Sequence, residues 1–298
     1  MNVDPNYLQQ IAAALSRTTA QQQTLSSQIA SGVRLTGLGD DPIAAAQNVQ
    51  FMAQIAADSV FTQTAATTTA KMQVADSTLG SVVDQVNQAI SVATAGNNGT
   101  NNASDRSSVA AELTTIRDEI LGLANTSYSG KYLFSGSQNN GAPFQLDSST
   151  SPATVTYSGD NAVNYVTTPG GQSIATNVPG QQIFTAAGGD LLGTLNALIQ
   201  GFSTGDTATT SALTSQLSTA LSQLSTQRAS LDGSINRLQS ASSYASQEQT
   251  RLVANQTDLL QADLPTMATK LSSSETQQSA LESVIVAIEQ QGTLFDRM

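Results

Sequence analysis

The 298-residue sequence contains no cysteine, no histidine and no tryptophan. Without cysteine it has no disulfides and no thiolate metal sites in any compartment. Without histidine it lacks the usual general base and the commonest metal ligand near neutral pH. Aromatic residues make up 4% and charged residues 11%, so neither a bulky globular core nor a densely charged surface is expected. Lys and Arg number 11 against 22 Asp and Glu, giving a net charge of −11 and no basic stripe. That balance argues against nucleic-acid and anionic-membrane binding, which need clustered cations to neutralise phosphate. Long apolar runs are missing too. The start, "MNVDPNYLQQIAAAL", has no positively charged n-region and no long apolar stretch, so no Sec-type signal peptide is expected, and nothing later approaches a membrane span. These features fit a cytoplasmic protein or one exported by a route that leaves its N-terminus uncleaved.

What is abundant is Ala, Ser, Thr and Gln, with 39% hydrophobic residues in all. This is the composition of long helices with lightly packed seams. From Leu217 the positions Leu221, Leu224, Arg228, Leu231, Ile235, Leu238, Ser242, Ala245, Gln249, Leu252, Gln256 and Leu259 alternate steps of four and three, a heptad pattern. As one helix it would run roughly 60 Å at 1.5 Å per residue. Its polar members suit a bundle better than an isolated zipper. Met72, Ala75, Leu79, Val82, Val86 and Ile90 repeat the pattern, and a further helix is predicted from about Asp105 through Leu113 and Ile120 to Leu123. "GNNGTNNAS" reads as the polar turn between these two, its glycosylation-like triplets being chance matches in an Asn- and Ser-rich loop.

"SGVRLTGLGDDPIAAAQ", Ser31 to Gln47, is an elbow between helices. Gly32 can take the left-handed conformation that ends a helix near Ala30, while Asp41 can cap a helix whose first position is Pro42. Between Ser135 and Gly189 the pattern changes to short Thr, Val and Tyr runs broken by Gly and Pro. There "ATVTYSGDNAVNYVTT" reads as a β-hairpin turning at Gly159 and Asp160. The fold class is therefore mainly α: an elongated helical bundle with a small β-rich domain inserted. The segments are 1–41 (N-terminal helix and elbow), 42–134 (first bundle half), 135–189 (β-rich domain), 190–263 (second bundle half) and 264–298 (C-terminal helix).

The two ends of the chain match each other. Leu8, Ile11, Leu15, Thr18, Gln22, Leu25 and Ile29 form one seam, and Met267, Leu271, Ser274, Gln278, Leu281, Ile285 and Ile288 form another. Each is apolar at its ends and polar in the middle. Laid antiparallel, Ile11 meets Ile285, Leu25 meets Leu271 and Ile29 meets Met267, with the elbow opposite Pro265, itself a helix starter or kink. An antiparallel terminal coiled coil is expected.

No catalytic constellation is present. There is no Gly-rich phosphate loop between a strand and a helix, and the Asp40-Asp41 pair shows no basic or nucleophilic partner nearby in sequence, so capping is its better reading. Asp118 and Glu119 point in different directions on a helix, which suits a solvated face. No catalytic residue, cofactor site or metal site is assigned, and an enzyme is not expected.

"LSSQIASGVRLTGLGDDPIAAAQ", "YSGKYLFSGSQ", "VTYSGDNAVNYVTTPGGQSIATNVPGQQIF" and "LDGSINRLQSA" together resemble the flagellar hook-associated protein 3 family, the hook–filament junction proteins of the flagellin superfamily. The resemblance runs over nearly the whole chain in the expected order. Flagellin proper is the nearest alternative, but it tends to follow the acidic pair with Ala-Ala-Gly-Leu, where this chain has Pro42-Ile43-Ala44-Ala45.

The resemblance implies a structural component of the bacterial flagellum, an adapter required for motility that joins the hook side to the filament. It implies a ring of identical subunits, with hook-associated protein 1, flagellin and a flagellar export chaperone as partners. It also implies extracellular location after flagellar type III export without a cleaved signal. The assembly interface would be the terminal seams, Leu8, Ile11, Leu15, Leu25, Ile29, Met267, Leu271, Leu281, Ile285 and Ile288. Gly32, Gly37, Gly39, Asp41, Pro42 and Pro265 would form an adjustable joint between an inner and an outer helical layer, with the β-rich domain facing outward. A flagellin-type filament subunit and a helical scaffold unrelated to flagella are the alternative functions.

Overall fold

The computed structural model describes residues 5–295 except 36, 38, 40, 100, 139 and 140; for 5–8, 207 and 288–295 it describes the backbone alone. In chain order the elements are α1 (Pro5–Ser31), α2 (Pro42–Gly96), α3 (Ala103–Ala124), β1 (Ser127–Tyr128), β2 (Lys131–Tyr132), β3 (Phe144–Asp147), β4 (Thr154–Tyr157), β5 (Tyr165–Thr167), β6 (Ser173–Ala175), α4 (Gly180–Phe184), α5 (Leu191–Thr204), α6 (Thr207–Leu260) and α7 (Leu264–Phe295). The chain divides into a terminal unit, residues 1–56 with 248–298, and a central unit, residues 57–247. A helical bundle with small antiparallel strand pairs is what the periodicity predicted.

In the central unit the predicted seams are the core. Met72, Leu79, Val82 and Val86 of α2, Leu113, Ile116 and Ile120 of α3, and Leu217, Leu224, Leu231 and Leu238 of α6 are all buried in one cluster. α2 and α6 run antiparallel there, tied by Arg228 to Asp76 and by Asn97 to Thr210 and Thr214. At the end of α2, Gly96 lets α3 and α5 approach: a Cβ there would stand 2.7 Å from the Phe202 ring and 2.9 Å from Val109. The polar turn that follows ends in a capping box, with Asn102 accepting from the amides of Ser104 and Asp105 while Asp105 accepts from the amide of Asn102. Two orphan helix donors and the cap amide are thereby satisfied.

The strands form three separate antiparallel pairs, β1 with β2, β3 with β4 and β5 with β6. The hairpin predicted across Gly159 and Asp160 does not form. Val155 pairs with Leu146 and Tyr157 with Phe144, while Tyr165 pairs with Ala175. The reason lies in Asp160, whose carboxylate accepts the amides of Ser137 and Ala162 at 2.7 and 3.0 Å, and in Tyr157, whose hydroxyl donates to the carbonyls of Phe134 and Asp160. These bonds turn the chain out of the sheet. Strand structure also begins at Ser127, before position 135, in a tight hairpin with Ser129 and Gly130 both at positive φ, 51° and 76°, as a two-residue turn of this kind requires.

The strand segment has no core of its own. Phe134, Phe144 and Phe184 stack edge-to-face and belong, with Ile174 and Ile183, to the same buried cluster as the helices.

Candidate functional site

The terminal unit holds every residue assigned to the assembly seam and the joint. α1 packs on α7, and the chain segments that follow α1 and precede α7 run antiparallel through a bridge of Val33 with Gln261. Ile11, Thr18, Leu25, Met267 and Ser274 are buried, while Leu15, Gln22, Ile29, Leu271, Gln278, Leu281 and Ile285 are half-buried. Each lies on the seam the heptads define. The side chains of Leu8 and Ile288 lie outside the described residues, as does Asp40.

Apolar packing is thin here. Leu25, Ala262 and Met267 form a small cluster with Ile29 and Leu271 against it. In the middle, Thr18 bonds back to the Ala14 carbonyl at 3.0 Å, but Gln22 Nε2 and Ser274 Oγ are buried with no hydrogen-bond partner. A buried unpaired polar group costs about 1–3 kcal/mol. Outside the seam, Val284 and Val286 of α7 face away from the pair at 39% and 50% exposure.

The joint is built as the sequence suggests at its two ends. Gly32 has φ +69°, and Asp41 caps α2, its Oδ1 accepting the Ala44 amide at 3.0 Å. Gly37 and Gly39 stand in open space, where a Cβ would meet nothing within 4 Å. Pro42 opens α2 and Pro265 falls in the first turn of α7. The latter turn is capped by Asp263, which accepts from the Thr266 hydroxyl at 2.7 Å.

Asp41 does have a basic partner, contrary to the expectation from sequence. Arg34, seven residues upstream, places Nη1 3.1 Å from Asp41 Oδ2. The Ala44 amide and then the Arg34 guanidinium hold the Asp41 carboxyl below its usual range. Arg34 also donates its amide to the Leu260 carbonyl at 2.7 Å and Nη2 to the Leu259 carbonyl at 3.3 Å, while Gln28 Nε2 donates to the Arg34 carbonyl at 2.6 Å. The Ala262 amide donates to the Gly32 carbonyl at 3.0 Å. The first half of the elbow is therefore pinned to the α6–α7 link. Arg34 was legible in principle, as the one cation in an acidic-capped elbow.

In the central unit, Asp118 is exposed as expected but holds Arg117, whose buried guanidinium also donates to Asn196 at 2.7 Å. Among the described residues no group of three metal-binding side chains converges, and no helix is long and apolar enough to cross a membrane.

Residues 5–139 match the bacterial flagellin N-terminal helical region. Flagellar hook-associated protein 3 of Escherichia coli is 27% identical over 302 aligned positions, which cover 92% of each chain. The protein of that name from Salmonella typhimurium is 33% identical over 137 residues, 46% of this chain and 43% of that one. A crystal structure of the flagellar junction protein FlgL from Legionella pneumophila superposes with a TM-score of 0.59 at 15% identity, over 72% of this chain and 99% of that one. The chain is thus similar to a flagellar hook-associated protein 3 over nearly its whole length, and its residues 5–139 to the flagellin N-terminal helical region. The flagellin-type match ends within the strand segment and takes in α1, the joint, α2 and α3. The terminal pair and its joint are the candidate functional site, a set of packing surfaces.

Proposed function

We propose that this chain is a structural component of the bacterial flagellum, an adapter at the junction of hook and filament that motility requires, with no catalytic step. The observation that carries this reading is the pairing of the two chain ends into one thinly packed unit, in a chain similar along 92% of its length to a hook-associated protein 3. A seam with buried unpaired Gln22 and Ser274 gains from neighbours that cover it. Copies of the chain, arranged as a ring, would supply that cover, with an adapter on the hook side and flagellin on the other.

In this proposal the segments 1–41 and 264–298 line the inside, 42–134 and 190–263 form the next layer, and 135–189 faces outward. Leu8, Ile11, Leu15, Leu25, Ile29, Met267, Leu271, Leu281, Ile285 and Ile288 make the inner contacts. Gly37 and Gly39 give the joint its play, while Gly32, Asp41, Pro42 and Pro265 fix its ends. The chain reaches this place by flagellar type III export, escorted by a chaperone.

Deletion tests the reading. Loss of the chain should abolish motility and leave monomeric flagellin in the medium, and a plasmid copy should restore both. In a strain lacking the flagellar export gate, the chain should stay inside the cell. Normal swimming without the chain would overturn the proposal. A filament subunit is the second reading, favoured by the flagellin-type match over residues 5–139; purified chain that grows long filaments unaided would establish it instead.

A further inference from the structure

Two flanks of α2 in the central unit carry opposite charges that the chain itself does not neutralise. On one flank Lys71, half-buried, lies beside Lys131 of β2, and burial together with the Lys131 charge lowers the Lys71 pKa. Among the described residues no carboxylate lies within ion-pair distance of either ammonium. On the other flank three carboxylates, Asp76, Asp84 and Asp232, act on the single guanidinium of Arg228. Arg228 spends its hydrogen bonds on Asp76 alone, at 2.7 and 3.2 Å. Asp84 and Asp232 are left in excess, exposed to solvent. Partial desolvation and then the Asp76 charge raise the Asp232 pKa.

The two flanks cannot satisfy each other within one chain. Lys71 and Asp76 are five residues apart, which sets them about 140° apart around the helix. Beside the lysine flank lies an open groove of about 470 Å³ lined by Val74, Ser77, Thr78, Leu123 and Tyr128 among others. Tyr128 is the residue paired with Lys131 across the β1–β2 hairpin, so the lysine flank borders the groove directly.

We propose that neighbouring copies of this chain pack side by side through their central units, the Lys71 and Lys131 flank of one copy, with its groove, receiving the Asp84 and Asp232 flank of the next. The inference rests on the ring proposed above. Copies of a chain with net charge −11 repel one another at a distance, so a contact between them has to bring unlike charges together locally. A two-fold contact of lysine flank on lysine flank would set cation against cation. A head-to-side contact places lysine against aspartate at every interface, and such a contact closes into a ring when its rotation allows. The groove adds apolar contact from Val74, Leu123 and Tyr128 at the same place.

Charge reversal decides the matter in cells carrying each variant in place of the natural chain. Lys71→Glu with Lys131→Glu should be secreted normally, keep its helical circular dichroism, and be depleted about tenfold or more from sheared flagella, since like charges at an interface cost several kcal/mol. Adding Asp84→Lys and Asp232→Lys to the same chain restores opposite signs at every contact and should return the chain to flagella and the cells to swimming. Should the double lysine variant fail to fold, a chain with Lys131→Cys and Asp232→Cys replaces it. The sequence has no other cysteine, so oxidised flagella should then yield a ladder of covalent multimers. Wild-type levels of the charge-reversed chain in flagella, depletion that the aspartate changes do not relieve, or a monomer band alone from the cysteine pair would each overturn the contact. If the natural chain itself is absent from flagella, the junction reading fails with it; if it is present, only the side-by-side contact fails.

Discussion

The central and terminal units are built from the same few residue types, yet they hold together in different ways. In the central unit, leucines, isoleucines and phenylalanines from α2, α3, α5, α6 and the strand segment meet in one buried cluster. In the terminal unit, three buried apolar residues and two half-buried ones form the cluster among the described residues, and the seam's middle is Thr18, Gln22, Ser274 and Gln278. At roughly 1.5–3 kcal/mol per buried apolar side chain, the central unit has ample means to fold as a monomer. The terminal pair sets a handful of such side chains against an ordering cost of about 1–2 kcal/mol per residue. Its order should therefore depend on whatever covers it in an assembly.

The comparison breaks most sharply at Phe184. It is fully buried and touches both Phe134 and Phe144, so Phe184→Ala should cost the free monomer about 3–5 kcal/mol, read as a lower midpoint in urea unfolding. A smaller change of opposite sign is expected at Asp58, which is 1% exposed with Oδ2 unpaired. Burial raises its pKa, so the ionised form is disfavoured in the folded chain. The cost is fully present above the folded pKa and disappears as pH falls through it towards the unfolded value. Asp58→Asn should stabilise the monomer by about 1 kcal/mol at pH 7, with the gain shrinking in acid; equal gains at pH 7 and pH 4 would refute this.

Arg34→Ala should leave the urea midpoint unmoved and speed hydrogen exchange at the amides of residues 34 and 262, which pair across the two linkers. Unchanged exchange there would mean the pinning is incidental. A small effect on the monomer, within about 0.5 kcal/mol, is likewise expected from Leu281→Asp. That variant should fold and be secreted but fail to enter flagella. In the same experiment, residues 9–31 and 264–287 of the wild-type monomer should be cut by protease before the central helices, and be protected in intact flagella. Equal resistance of ends and centre in dilute monomer would remove the distinction between the units.

Helices were legible because their signals are local and repeated. The heptads of α2 and α6, the Pro42 start and the Asn-rich turn before α3 each announce themselves within a few residues. The terminal pairing was legible because two long seams share a pattern of gaps. The strand pairing was not, since Val155 and Tyr157 alternate equally well against either neighbour, and bonds from Asp160 to Ser137 and from Tyr157 to Phe134 decide between them at a distance of 23 residues. The place of Phe144, Ile174 and Ile183 in the helical core escaped notice for the same reason. At the joint, Gly32 and Asp41 could be read from their neighbours. The grip of Arg34 on Leu259 and Leu260 depends on a linker at the far end of the chain.

The bridge between Val33 and Gln261 also implies an order of events in time. It joins points on either side of the whole central unit, and closing so long a loop in an unfolded chain carries an entropic penalty that grows with its length. Once the central unit has folded, Phe61 and Ala245 lie in one cluster, and the remaining gap is a short one. The linkers are therefore expected to zip after the centre has set, with Val33 and Gln261 among the last residues to find each other.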